Sequence, residues 1–575
     1  MLEGMKINKV VLGVSLIVIS AFLIRVIPQW NNIFTSYGVL YHDVDTYLHL
    51  RLIENMIANF PIALSIDKYA LLGGMDIGFP PLWNWLVVII SKVGIDYHYV
   101  DAFLPPILGA LTAVPVYLIG RTLFNRSIGI VASLICVLLP SEFLHRTLLG
   151  FSDHHALEIF FMAWVLFFVV KFCKVLNYKW AILSGLFLGL YMDSWLGGMF
   201  FVAILLTGFM FQFAHQPCKK IIYGFSLMFL IAYIATFLYY GEPYRAGNIN
   251  FMPVAIALPL LFIPYTLMND KRISIILIGC GLLLGGGLAY GIYSEEIVFA
   301  LRSIFWGFGS IISEAQPAYP YVFVSTLGVS VLLMFGGLYY ATKRESLSPL
   351  FLVWWAVLFI AMIGQRRWGY YFTMPVSILS AVLLVNLTEC VKPNLKKIIL
   401  GLTVFFVLIS SARTIIGVSS VKPYVNEYYI TACEWLRNNT PEPFSRDYYY
   451  SLDTNGELPD YVVLAWWDYG HWINEIGHRV VLSNPASQIS IEMREYLLAQ
   501  SQAEAEGIIA DLPVKYIFAT KELTGANKFY AVVFQLGFVD VEGYIKDSMA
   551  VRLWTGEGIT YKLVYENKEV KIYER

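Results

Sequence analysis

Apolar runs of about twenty residues, repeated along most of the chain, leave few folds open to it. A helix that crosses a bilayer needs ~20 mainly apolar residues, with ~17 tolerated, and thirteen segments of this chain approach that length. They are 10–27, 102–120, 128–143, 156–170, the two halves of 180–213, 221–240, 251–268, 273–293, 321–342, 350–364, 370–387 and 398–417. The run 180–213 is too long for one crossing and is interrupted at Asp193-Ser194. No small-residue cleavage site follows the first run, which reads as an anchor and not as a removed signal peptide. With a mean hydropathy of +0.64 and only 14% charged residues, a water-soluble protein of this size is excluded.

The charge is unevenly spread. Of the last 158 residues 36 are charged, against 45 of the first 417. This predicts a polytopic helical membrane domain over 1–417, with long outside loops at 28–101 and 294–320, followed by a small mixed α/β domain over 418–575. The six cysteines show no metal-ligand spacing, and only Cys433 lies in the tail, so no disulfide framework is expected there. A net charge of −1 gives no reason to expect nucleic acid as a partner.

Basic residues orient the stack. Lys6 and Lys9 precede the first run, and Lys or Arg recurs in every second loop from Arg121 and Arg126 to Lys392, Lys396 and Lys397. Cytoplasmic loops carry such an excess, so the expected protein is a multi-pass cell-membrane protein with a cytoplasmic amino end. An odd number of crossings then puts the tail outside.

Three acidic groups fall on that outer side: Asp45 in Tyr41–His49, Asp153 in Gly150–His155, and Glu314 after Ser313. Loop carboxylates are commonly just solvated, but three flanking spanning helices on one face favour a functional reading. Asp153 and His155, two apart, present both ligand atoms to one ion, and carboxylates with one imidazole suit Mn²⁺ or Mg²⁺, with Zn²⁺ also open. Arg366 and Arg367 end the run 350–364 on the outside, against the charge bias, and an arginine fork suits phosphate oxygens. In the tail, Trp466-Trp467-Asp468-Tyr469-Gly470 sets an apolar wall beside one hydrogen-bond acceptor, which suits a group bearing one hydroxyl and one methyl.

That pentapeptide resembles the signature of the catalytic subunit of oligosaccharyltransferases, in the archaeal type and in a short form. Asp45 with Tyr47 and His49 resembles the family's first acidic motif, and Asp153-His154-His155 the second, in its Asp-x-His form. Ile312-Ser313-Glu314 resembles its glutamate motif and Gly364–Trp368 its arginine segment. Pro80-Pro81-Leu82 and Ser194-Trp195 are similar to family segments too, and Lys528 matches the lysine of a second acceptor motif, with Gly525 in place of its aspartate.

The resemblance implies a GT-C type fold with thirteen crossings. It implies transfer of an oligosaccharide from a dolichyl phosphate or diphosphate carrier to the asparagine of Asn-x-Ser/Thr. Asp45 and Glu314 would be catalytic, and Asp45, Asp153 and His155 would hold Mn²⁺ or Mg²⁺. Arg367 and His154 would bind the lipid phosphate, and Trp466, Trp467, Asp468 and Lys528 the acceptor. The expected partners are the lipid-linked donor, the acceptor polypeptide and the membrane, with the chain working as a single subunit.

Two other classes share some of these features. A membrane glycosyltransferase that extends a lipid-linked glycan would share the acidic loops but has no use for a peptide-reading WWDYG. A transporter should show pseudo-repeats or charges near mid-bilayer, for which Asp193 is the one weak sign.

Overall fold

The structure is a computed structural model. It describes residues 9–78, 80–195, 197–239, 252–268, 326–343, 347–389, 415–446, 448–452, 457–487, 490–525 and 541–575, with a few isolated positions between them. The chain divides into two compact units. One comprises Met1–Trp30, Phe103–Leu149 and His154–Val421, and the other Asn31–Ala102, Gly150–Asp153 and Lys422–Arg575.

The first unit is helical. Among the described residues of the chain, six helices are long and apolar enough to cross a membrane: Lys9–Ile33, Tyr97–Leu123, His155–Val175, Gly198–His215, Lys219–Thr236 and Arg366–Thr388. Shorter apolar helices include Arg126–Leu138, Met252–Leu267 and Pro349–Gly364. The expected runs 273–293 and 398–417 lie almost wholly outside the described residues, so thirteen crossings remain a sequence expectation. The expected split of 180–213 is present, with one helix ending at Met192 and the next starting at Gly198.

Small residues allow these helices to approach closely, as apolar helices in lipid require. A Cβ on Gly185 would stand 2.5 Å from the Met228 carbonyl oxygen, and one on Gly189 2.6 Å from Ala235 Cβ. Gly185 and Gly189, four apart, thus seat helix Tyr178–Met192 against helix Lys219–Tyr239. Arg25, fully buried near the end of the first helix, donates to Thr147 Oγ1 at 2.9 Å and to the carbonyls of Ala21 and Val137.

The second unit joins the first outside loop to the tail. Among the described residues its largest sheet has four strands: β1 (Val462–Ala465), β2 (Val514–Thr520), β3 (Lys562–Glu566) and β4 (Val570–Glu574), in the order β1-β2-β4-β3. β1 runs parallel to β2 and the other pairs are antiparallel. β1 and β2 read as apolar strings because both of their faces are covered.

Helix Asp45–Asn59 packs within the same unit. Leu48 and Leu52 share a core with Leu64, Ala70, Met75 and Ile77, against which Leu452 and Ala486 of the tail also pack. Arg51 pairs with Asp67 at 3.0 Å and lies 3.8 Å over the Tyr449 ring, which stacks on His478 at 3.5 Å. Asn474 and Asn484 donate to the carbonyls of Tyr69 and Ala70 at 2.6 and 3.1 Å. The ion pair, the ring stacking and these hydrogen bonds offset the cost of burying such side chains.

Candidate functional site

Asp45 opens helix Asp45–Asn59, where the helix dipole favours a negative charge. Its own N–H donates to Asp43 Oδ1 at 3.3 Å. His471 Nε2 stands 3.8 Å from Asp45 Oδ1. Burial, with the His49 imidazole nearby, pushes the His471 pKa down to about 3, so this ring is neutral.

Asp153, 1% exposed, ends a turn tied down at Gly150 and Ser152. Gly150 N–H donates to the Ala102 carbonyl, and its own carbonyl accepts from His42 N–H at 2.9 Å. Ser152 Oγ donates to the Asp101 carbonyl at 2.8 Å, and Thr46 Oγ1 donates to the Ser152 carbonyl at 2.7 Å. The last bond fixes the Asp153 turn to the helix that begins at Asp45. Asp153 Oδ1 lies 3.4 Å from His49 Nε2.

In the first unit, His154 and His155 start helix His155–Val175, and both rings turn onto one carboxylate. Glu158 Oε1 is 3.1 Å from His154 Nε2 and 3.0 Å from His155 Nδ1. Its other oxygen accepts from the hydroxyls of Tyr370 and Tyr371. The ligand atoms of His154, His155 and Glu158 lie within 4.8 Å of one another, and a carboxylate so placed is also the kind of partner that orients a ligating imidazole. In the 3-10 turn Arg366–Trp368, Arg366 makes a double contact to Glu142 Oε1 at 2.7 and 2.9 Å. Arg367 is partly exposed beside it.

The pentapeptide lies where β1 ends. A 3-10 turn, Trp467–Tyr469, leads into helix Gly470–Glu475. A Cβ on Gly470 would meet Asn484 Cβ at 2.5 Å and the Ser483 carbonyl oxygen at 2.6 Å, so only glycine fits there. Trp466 is buried and gives its indole N–H to Asp468 Oδ2 at 3.2 Å, while Trp467 and Asp468 stay partly exposed. Tyr469 is buried and its hydroxyl meets Thr520 and Glu522, each at 3.0 Å. Glu314 and Lys528 lie outside the described residues.

The family profile described as "Oligosaccharyl transferase STT3, N-terminal" matches residues 15–421. The chain belongs to this family. It is an oligosaccharyltransferase of protein N-glycosylation, with archaeal relatives. A second profile, "AglB core domain", matches residues 426–524 of the enzyme. Dolichyl-phosphooligosaccharide-protein glycotransferase 3 of Archaeoglobus fulgidus is 26% identical, in an alignment covering 90% of this chain and 70% of that protein.

Two solved structures share the fold. An Archaeoglobus fulgidus oligosaccharyltransferase AglB, in complex with an inhibitory peptide and a dolichol-phosphate, has a TM-score of 0.83 and 21% identity. The match covers 97% of the enzyme and 80% of that chain. An Archaeoglobus fulgidus oligosaccharyltransferase with Zn and sulfate gives a TM-score of 0.78 at 21% identity, over 97% and 79% of the two chains.

Sequence reasoning passed over four side chains that the geometry brings forward: Glu142, Glu158, Asn84 and His471. Glu158 carried a usable signal, being the sole carboxylate in the run 156–170. His471 directly follows the pentapeptide. Glu142 and Asn84 carried none.

Proposed function

We propose that the enzyme moves the glycan of a dolichyl phosphate or diphosphate carrier to the asparagine of Asn-x-Ser/Thr, through the residues named from its motifs. The observation that carries this reading is the WWDYG turn, whose partly exposed Trp467 and Asp468 lie in one unit with the helix that starts at Asp45. Trp466 sets the Asp468 carboxylate by its indole N–H. Trp467 and Asp468 read the Ser/Thr two residues after the acceptor, and Lys528 is assigned to the same task from its motif alone. The proposed topology has thirteen crossings in a GT-C type membrane domain, with the tail outside and a single subunit sufficing.

The donor set Asp45, Asp153 and His155 fits Mn²⁺ or Mg²⁺: two carboxylates and one imidazole whose other nitrogen is engaged by Glu158. A bound divalent ion supplies Lewis acidity toward the charge that develops on the leaving phosphate. Arg367 binds a phosphate oxygen and His154 assists it. Asp45 and Glu314 engage the acceptor amide NH₂, whose nitrogen is a poor nucleophile while its lone pair is delocalised into the carbonyl. Recognition by the tail and bond-making at the acidic motifs together meet the need to hold both substrates in register.

Incubating the purified enzyme with extracted lipid-linked oligosaccharide and an Asn-x-Thr peptide should give a glycopeptide, read by mass spectrometry. Growth of the lipid-linked glycan with no glycopeptide would instead make it an enzyme that extends the donor.

Two variants test the roles. Glu314→Gln should lower turnover strongly and leave peptide affinity within a few-fold; collapse of affinity with normal turnover at saturation would refute an activating role. Arg367→Ala should raise the KM for the lipid donor about tenfold or more, the loss of one charged hydrogen bond, and spare peptide binding. Arg366→Ala breaks the pair with Glu142 instead and should act on thermal stability more than on donor KM. Equal donor KM in Arg367→Ala and the unmodified enzyme would reduce Arg367 to a headgroup anchor.

A further inference from the structure

His49 lies one helical turn after Asp45, so the two side chains share a face of helix Asp45–Asn59. The i, i+4 spacing is the one by which two ligands on one helix reach a single ion. His49 is 4% exposed, and its two ring nitrogens face different partners. Nδ1 is 2.8 Å from Asn84 Oδ1. A carbonyl oxygen only accepts, so Nδ1 carries the hydrogen, and in the neutral ring the lone pair is on Nε2.

That lone pair faces a carboxylate. Nε2 stands 3.4 Å from Asp153 Oδ1, which belongs to an almost fully buried side chain. The separation exceeds the ~2.7–3.2 Å of an N–H···O bond. Two atoms that each bind one ion at ~2.0–2.2 Å lie about 3.0–3.5 Å apart. Both atoms belong to a group whose ligand atoms all lie within 4.8 Å of one another, a spacing that lets them share one cation.

We propose that His49, through Nε2, is a further ligand of the divalent ion bound by Asp45 and Asp153, with Asn84 fixing its ring. The proposal rests on the metal reading given above. Asn84 sits in the first turn of helix Leu82–Ser91, 3% exposed, and acts as the outer partner that orients a ligating imidazole. An added imidazole moves the site's preference from Mg²⁺, which prefers oxygen donors, toward Mn²⁺.

The full-length enzyme, labelled with ¹⁵N-histidine in detergent and stripped of metal, is titrated with Mn²⁺ and Mg²⁺. Bound Mn²⁺ is counted by electron paramagnetic resonance, and histidine nitrogens by their hyperfine couplings. His49→Ala should lose one coupling and bind Mn²⁺ at least about tenfold more weakly, with a smaller change for Mg²⁺. Asn84→Ala should keep the coupling and weaken Mn²⁺ by about 10- to 100-fold. His155→Ala should retain one coupling, which serves as the readout should His49→Ala not fold.

Unchanged couplings and Mn²⁺ affinity in His49→Ala, with binding lost in Asp153→Ala, would overturn the proposal and leave the metal reading standing. Undiminished Mn²⁺ binding by Asp153→Ala would overturn both.

Discussion

Asp153→Ala should all but abolish glycan transfer, and no concentration of Mn²⁺ or Mg²⁺ should restore it. Lewis-acid stabilisation of a leaving phosphate is worth several kcal/mol, and each 1.36 kcal/mol is tenfold in rate, so a fall of about 10³-fold or more is expected. Asp153 is held by the bonded turn Gly150–Asp153, and shortening its side chain leaves those backbone bonds in place. The variant should therefore melt close to the parent while losing its activity. In the unmodified enzyme EDTA should reproduce the loss and added Mn²⁺ or Mg²⁺ reverse it. Full transfer by Asp153→Ala in the presence of chelator would remove the metal from the reaction.

The second large effect concerns the acceptor. With Asn-x-Val in place of Asn-x-Thr, the shape is kept and the hydroxyl is lost, which leaves the Asp468 carboxylate without its substrate partner. An unpaired polar group costs about 1–3 kcal/mol, roughly 5- to 150-fold in kcat/KM. Asn-x-Ser loses only a methyl, worth about 0.8 kcal/mol, so Thr should exceed Ser by a few-fold. Asp468→Ala should erase the Thr/Val difference while Mn²⁺ dependence persists. The measurement is transfer rate against peptide concentration for the three peptides. Equal rates for Thr and Val peptides with the unmodified enzyme would disqualify this turn as the sequon reader.

Much of this was legible in the sequence, for physical reasons that differ by region. Apolar runs announce helices in lipid because no other local arrangement satisfies the backbone there. The break at Asp193-Ser194 showed for the same reason, and the structure ends a helix at Met192. The pentapeptide was legible because Gly470 and the tryptophans meet demands that few residues can meet: a 2.5 Å approach to Asn484 and a large flat wall. The partners were not. The Asn84 side chain meets His49 across 35 residues, and Glu142 meets Arg366 across 224. Such pairings come from tertiary packing, and one sequence carries no mark of them. The union of loop 31–102 with the tail was hidden likewise, since hydropathy separates segments and says nothing of which polar segments join.

That union bears on how such enzymes exchange parts. Arg51, Tyr69 and Ala70 of the loop meet Tyr449, Asn474 and Asn484 of the tail by stacking and buried hydrogen bonds. A chimera that grafts a relative's tail at residue 422 replaces the tail side of every one of these contacts at once, and leaves buried Arg51 with Asp67 but without the Tyr449 ring. A graft that carries 31–102 along with 422–575 preserves them. The packing of this unit is therefore inherited as two distant stretches of chain, and substitutions in one constrain which substitutions the other accepts.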